Sequence, residues 1–513
     1  MSKKIKNPNT YTGKELAGFL IGLAGQNIIY NIVSSGLTYY LQTVIFIPVM
    51  YTGVIFAIAR VWDAINDPMM GTFVDKTHTK WGKCKPFLLF VPAVIMIITI
   101  LTFVNGQYSA DLPGWRKVLI VGWAGFSYIL WGMSYTVGDI PLWGVTSLMT
   151  EDQNDRAKAL SLARIVASAG FIGMLVQFAA PSVKNVFIAK GYDDATALQY
   201  GCILTAVVLT VFASILFQIA GLSVKERVKA TTKETHTMKE NFRMMWKCRP
   251  FRQLLISGIL RSPIQLLSTI PLLLITYYYF NNQDIPTQLM GDSGINVKMI
   301  IRIVILAIGV FGGMMIGMAF TPGLARKFEK KKLYNFYSII GAIPFLLVFV
   351  LYKVSGGDLF PMHFAVILGI VFFFASWAQG GLNVMQSIMI ADCVDYEEYN
   401  NGIRPDGVFF SGQSFITKLS AGIATLISSA VYAIVGFSGD NIKVMNEELS
   451  AGIATFRAYE GGRYAMAMFL LVSIPPAIGM VLSAVPTWKY ALTDKEHTEM
   501  LDALNERRAE IEE

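Results

Sequence analysis

The sequence predicts an all-α integral membrane protein with about twelve transmembrane helices in two six-helix halves. Three observations predict it. Of 513 residues, 54% are hydrophobic and only 15% charged, where a soluble domain carries about 25% charged residues. The apolar runs reach the spanning length of about 20 residues. They are continuous rather than alternating, which suits helices and not barrel strands. The basic residues gather in alternate loops, as cytoplasmic loops do. A formal net charge of +8 placed in such loops fits an anionic membrane surface rather than nucleic acid.

In order, the first half holds helices over Leu16–Phe46, Val49–Val74, Pro86–Val104, Val118–Met149, Leu160–Val186 and Leu198–Leu222. Lys3, Lys4, Lys6 and Lys14 precede a first helix studded with Gln26, Asn27 and Asn31. That helix is too long for the core of a cleaved signal peptide. Lys76, Lys80, Lys83 and Lys85 mark the turn between the second and third helices as cytoplasmic. Lys225–Pro250 is a long basic loop that divides the chain. The second half continues over Phe251–Phe280, Val297–Pro322, Leu333–Val354, Met362–Ala391, Val408–Phe437 and Tyr464–Val485. Arg326, Lys327 and Lys330 to Lys332 close its second helix, as Asp75-Lys76 closes that of the first half. The loops Asn105–Gly114 and Asn281–Asn296 are poorer in basic residues. Both termini are then cytoplasmic. The plan is residues 1–224, a central loop over 225–250, residues 251–488, and a tail over 489–513 expected as a short surface helix. Such halves suggest a transporter with its substrate near mid-membrane.

The polar exceptions point to function. Arg60-Val61-Trp62-Asp63-Ala64-Ile65-Asn66-Asp67 lies inside the second apolar run. Each charge at mid-membrane costs about 2.5–3.5 kcal/mol by insertion scales, so it is rarely kept without a use. Asp63 and Asp67 are four apart and share a helix face, with Arg60 and Asn66 bordering it. Two carboxylates and an amide make an oxygen cage for a small cation, and Arg60 partly offsets their charge. In the fourth helix Asp139 shares its face with Tyr135, Thr136 and Trp143. A carboxylate beside ring faces suits a sugar, whose hydroxyls donate and whose C–H groups stack. The bland alternative is a structural ion pair, with Arg164 or Lys418 as partner. Arg261, beside Pro263, reaches toward a cavity, whereas Arg302 with Lys298 anchors a helix end. The acidic stretch Ala391–Tyr399 reads as a loop whose acids pair with Arg404, either as a gate or as a solvated turn. Cys84, Cys202, Cys248 and Cys393 have no paired spacing. His78, His236, His363 and His497 fall in loops or at ends, none with a second ligand. No catalytic cluster is visible, which argues against an enzyme.

Four stretches, Ala59–Gly71, Trp81–Pro86, Tyr128–Trp143 and Ile390–Lys418, give the chain its resemblance to a known family. Over most of its length it resembles the glycoside–pentoside–hexuronide:cation symporters of the major facilitator superfamily, among them melibiose permease. The resemblance implies the major facilitator fold and import of a sugar or glycoside with Na+, Li+ or H+ across a bacterial plasma membrane. It implies a monomer in lipid, with no cofactor beyond the coupling cation. Asp63, Asp67, Asn66 and Thr136 look like the cation site. Asp139, Trp143 and Arg164 look like sugar contacts, and Lys418 like the link between the two. One position departs: melibiose permease carries Gly-Lys-Asp in its first helix, and here Gly25-Gln26-Asn27 stands there. With that acid replaced and Arg261 present, an anionic sugar such as a hexuronide becomes an expectation beside neutral glycosides. The rival class, a non-transporting sensor on the same scaffold, typically lacks a coupling carboxylate or gains a soluble domain, and neither is seen.

Overall fold

The structure, a computed structural model, describes residues 9–109, 111–167, 170, 172–173, 175–228, 238–268, 270–281, 296–437 and 439–512. Lys3, Lys4, Lys6, His236, part of the central loop and most of the Asn281–Asn296 loop lie outside the described residues. The chain is all-α, as expected. Among the described residues the only β contact is an isolated bridge between Thr79 and Gly82.

The helices are α1 (Gly13–Asn31, continued by wider turns to Val44), α2 (Val49–Lys76), α3 (Lys85–Thr102), α4 (Gly114–Gly144), α5 (Gln153–Ala167), α6 (Leu175–Ile188) and α7 (Asp194–Ser223). Then come α8 (Met238–Lys247), α9 (Arg249–Leu260), α10 (Ile270–Leu273), α11 (Val297–Ala307), α12 (Gly313–Ala325) and α13 (Lys330–Val354). The chain ends with α14 (Met362–Asn401), α15 (Asp406–Val435), α16 (Gly439–Ser450), α17 (Arg463–Leu471), α18 (Ile474–Thr487) and α19 (Asp494–Glu512).

Nine helical stretches among the described residues are long and apolar enough to cross a membrane. The other expected spans are α2, interrupted by its charges, and two broken stretches, α5–α6 and α9–α10. The second break follows from Pro263, which lacks an amide hydrogen. The Ser262 hydroxyl donates to the Ile259 carbonyl at 2.5 Å and satisfies an acceptor there.

The chain forms two compact units. The first comprises Met1–Cys248, Ile390–Phe415 and Lys495–Glu513, and the second Arg249–Met389 and Ile416–Asp494. In the first, α1 lies directly on α7, where a Cβ at Gly22 would stand 2.9 Å from the Ala220 nitrogen. Small residues allow such backbone approach, the usual way helices associate in lipid. Around α7 pack α3 and α6, and α4 packs on α2 and α3. The second unit uses the same device. Gly309, Gly313 and Gly317, four residues apart, press on the backbone of Gly369, Phe373 and Trp377 in α14.

Two expectations are corrected. Ala391–Tyr399 is not a loop: α14 runs on through it to Asn401. Asp395 and Glu398 are buried against arginines and Asp392 against His497, so the helix continues without solvent to carry their charge. His497, expected to stand apart, is 1% exposed and lies against Asp392 and Asp395. The tail helix α19 buries Leu501 and Leu504 as well as His497 rather than resting wholly on the surface.

Candidate functional site

The register of two helices in the first unit builds a buried polar cage. On α2, Asp63 and Asp67 are one turn apart; on α4, Gly132 and Thr136 are one turn apart and face them. The Thr136 hydroxyl donates to Asp67 Oδ1 at 3.0 Å and to the Gly132 carbonyl at 2.9 Å. A Cβ at Gly132 would come 3.4 Å from Asp63 Oδ1, so the glycine leaves room for that carboxylate. Arg60 Nη1 lies 3.6 Å from Asp63 Oδ2. Asp63 is 8% exposed, and Asn66 and Asp67 are fully buried. Among the described residues, neither side-chain polar atom of Asn66 has a hydrogen-bond partner. A buried amide left unsatisfied costs about 1–3 kcal/mol. Its carbonyl oxygen, beside two carboxylates and a hydroxyl, fits the hard-oxygen set a small cation takes.

A second cluster continues along α4. Trp131, Tyr135, Asp139 and Trp143 are spaced by four and form one stripe. The rings of Trp131 and Tyr135 stack at 4.9 Å, and Tyr30 of α1 stands 5.5 Å from Tyr135. Asp139 Oδ1 accepts from Gln26 Nε2 at 2.7 Å, and Gln26 also donates to the Tyr135 hydroxyl. Asn27 Nδ2 donates to Gln26 Oε1 at 2.8 Å, so the two amides run in series toward the acid. The Ser414 hydroxyl is 3.4 Å from Asp139 Oδ2. The Arg164 guanidinium lies 4.3 Å from the centre of the Trp143 ring, close enough for cation–π attraction. Gly170 and Gly173, in the break after α5, meet the α1 backbone near Asn27 and Ile32.

At the end of α2 the same unit carries a buried ionic network. Lys83 Nζ bridges Asp75 at 3.0 Å and Asp406 at 2.6 Å. Asp75 also accepts the Gly407 and Val408 amides at 2.9 Å each, capping the start of α15. Arg404 reaches Glu398 at 2.6 Å, Asp395 at 3.0 Å and Asp406 at 3.3 Å, and Arg156 holds Asp395 at 2.6 Å. Glu226 accepts the Lys83, Cys84 and Lys85 amides at 2.8–2.9 Å. Burial alone would lower the Lys83 and Arg404 pKa values. The carboxylates outweigh it and hold both above their ordinary ranges. Burial also pushes the Cys84 thiol well up, an inert state for a thiol. Asp392, Asp395 and His497 converge within metal-ligand reach. Asp395 already binds two arginines, which leaves it a poor metal ligand.

Two expected site residues belong to the second unit. Arg261 is 7% exposed and donates through Nη2 to the Gln386 side chain, while its Nη1 has no hydrogen-bond partner among the described residues. Lys418 lies on α15, two residues before Ser420, whose hydroxyl is 2.9 Å from that of Ser262. Sequence reading paired Asp139 with Arg164 or Lys418; Gln26 and Ser414 are partners it missed. A lone glutamine in an apolar helix signals a buried hydrogen bond but not its destination. The Asp75 cap and the Glu226 clasp were equally hidden, because both depend on segments far apart in sequence.

The profile of the family described as "MFS/sugar transport protein" matches residues 18–494. Over 495 residues the chain is 23% identical to a glucuronide carrier protein homolog of Escherichia coli K12, covering 96% of each. It is also 23% identical to the isoprimeverose transporter of Lactiplantibacillus pentosus, covering 94% of this chain and 89% of the relative. Its fold is similar to that of the proton:xylose symporter XylE, with a TM-score of 0.54 at 13% identity, over 96% of this chain and all of that one.

Proposed function

The chain belongs to the MFS/sugar transport protein family, a family of transporters and not enzymes, and on that premise we propose that it is a symporter moving a sugar or glycoside together with Na+, Li+ or H+. The observation that carries this reading is the α2–α4 cage. Asp63 and Asp67, one turn apart, supply carboxylate oxygens to one monovalent cation, with Arg60 beside Asp63. Asn66 and Thr136 complete the oxygen set. Asp139, with Tyr135, Trp143, Arg164 and Asn27, receives the sugar: the acid takes hydroxyl hydrogens and the rings take C–H faces.

Thr136 and Asp139 lie within one turn of α4, so ion and sugar act on the same short stretch of helix. A bound cation offsets the carboxylate charge of the cage and raises sugar affinity. By linkage the sugar raises cation affinity by the same factor. Alternating access follows from cost, because a carrier with an unfilled cage exposes charge to a dry path and changes state reluctantly. Lys418 serves as the coupling residue. The Lys83–Arg404 network acts as a cytoplasmic latch that forms in one state and parts in the other. Both termini are then on the cytoplasmic side.

A hexuronide or similar anionic sugar is the second reading. It is favoured by Arg261, whose buried guanidinium keeps a nitrogen without a partner, and by the amide at Asn27. Competition of uptake by glucuronides against neutral glycosides separates the two; no inhibition by any uronide removes the anionic reading. The main reading is tested in vesicles under imposed gradients. Asp63→Cys is expected to abolish cation-driven accumulation. A variant that still concentrates sugar on a sodium gradient would refute the cage assignment.

A further inference from the structure

The second unit buries an arginine that its surroundings do not neutralise. Arg302, on the second turn of α11, is 6% exposed. Among the described residues it has no carboxylate or carbonyl partner. Its Nη1 lies 3.5 Å from the Met299 sulfur, a weak acceptor, and its Nε makes no hydrogen bond. Its Cζ stands 3.9 Å from the centre of the Phe360 ring. Arg457 Cζ lies 4.3 Å from the same ring, with its Nη1 held by Asp358 at 3.0 Å. The Tyr279 ring stacks on Phe360 at 6.4 Å, and its buried hydroxyl has no hydrogen-bond partner among the described residues. Arg302, Arg457 and Asp358 together leave one positive charge.

A ring face stabilises a desolvated guanidinium only in part. Burying a charge without a counter-ion costs more than that contact returns. The cluster is therefore complete only with an anion. We propose that Arg302, Arg457 and Tyr279 bind one phosphate ester monoanion, the headgroup phosphate of a membrane phospholipid.

Chemistry and position both support this occupant. A guanidinium fork matches two non-bridging phosphate oxygens, and the Tyr279 hydroxyl supplies a further donor. The charge of a phosphodiester cancels the surplus. The N-terminal turns of α11, capped by Asn296, add a favourable partial charge. The same helix presents Val297, Ile301 and Val304, 44–58% exposed, as an apolar stripe beside Arg302. Acyl chains cover such a stripe, and a soluble phosphate has no use for it.

The test uses the full-length protein in detergent with added dioleoylphosphatidylglycerol. In native mass spectrometry the wild type is expected to retain one phospholipid more than Arg302→Gln. Added lipid should raise the unfolding midpoint of the wild type by several degrees and that of Arg302→Gln by none. Tyr279→Phe, which removes a donor but no charge, should keep the fold and weaken retention about tenfold, by roughly 1.4 kcal/mol. Equal retention by wild type and both variants overturns the proposal. Equal stabilisation of lipid-depleted protein by inorganic phosphate assigns the site to a soluble anion and overturns the lipid occupant. The acids of the preceding loop, Asp284 and Asp292, lie outside the described residues. Should Asp284→Asn with Asp292→Asn reproduce the stability loss of Arg302→Gln while lipid retention is unchanged, the counter-ion is the chain's own and the proposal fails.

Discussion

The first unit contains two buried polar clusters on the same helix, and they are built in opposite ways. At the end of α2, Asp75 meets Lys83 and two backbone amides, and the acids beyond it meet Arg404 and Arg156 at 2.6–3.3 Å. Two to four turns earlier, Arg60 stands 3.6 Å from Asp63 alone, and among the described residues the fully buried Asn66 amide has no hydrogen-bond partner. The first cluster is closed by the chain itself. The second keeps a buried amide that no described residue satisfies. Buried polar groups are costly in both, so the two clusters differ in how fully the described residues complete them.

The sharpest way to break that contrast is to open the closed cluster. Arg404→Met leaves Asp395, Glu398 and Asp406 without their shared cation. Removing one partner of a buried ion pair costs about 3–5 kcal/mol, and the expected result is a large fall in the unfolding midpoint. Adding Glu398→Gln to Arg404→Met should recover part of it. A network that only decorated the surface would show less than about 1 kcal/mol for either variant.

A second prediction follows from the raised pKa of Lys83. Its folded value lies above the unfolded value of about 10.4. Its contribution is then fully present below that value and is lost as pH rises further, through the folded pKa. Between about pH 6 and pH 9 the difference in stability between wild type and Lys83→Met should stay constant, and above about pH 10.4 it should shrink. A difference that already declines near neutral pH would place Lys83 outside the network.

How much of this was legible beforehand divides along the same line. The spans, their all-α character and the cage positions Asp63, Asp67 and Asn66 could be read from local spacing, because a charge in an apolar helix is visible in a short window. The cage also needed Gly132 opposite Asp63, and a glycine in a membrane helix has many ordinary uses. The closed network was only half legible. Arg404 and the acids near it could be paired on paper, but Arg156, Lys83 and the Asp75 cap come from segments 239 to 332 residues away. The helical run of α14 through Asp395 and Glu398 was misread for the same reason. Four acids in nine residues look like a solvated turn unless the arginines that bury them are known. Gln26 shows as a lone amide in an apolar helix, but its bridge to Asp139 on α4 depends on a residue 113 positions away.

The smallest expected effect on stability is the most discriminating. Among the described residues the Asn66 side chain has no hydrogen-bond partner, so Asn66→Ala removes no side-chain hydrogen bond seen there and relieves an unsatisfied buried amide. Its unfolding midpoint without coupling ion should equal or slightly exceed that of the wild type. Cation affinity, measured by titrating the ion against a conformational signal, should fall about tenfold, the loss of roughly 1.4 kcal/mol from one oxygen ligand. Sugar affinity without cation should not change, whereas the enhancement by cation should shrink in step with ion binding. The opposite pattern, lost stability with unaltered ion affinity, would make Asn66 a structural residue with an unseen partner. The α2–α4 cluster would then be as closed as the Arg404 network, and the contrast between them would disappear.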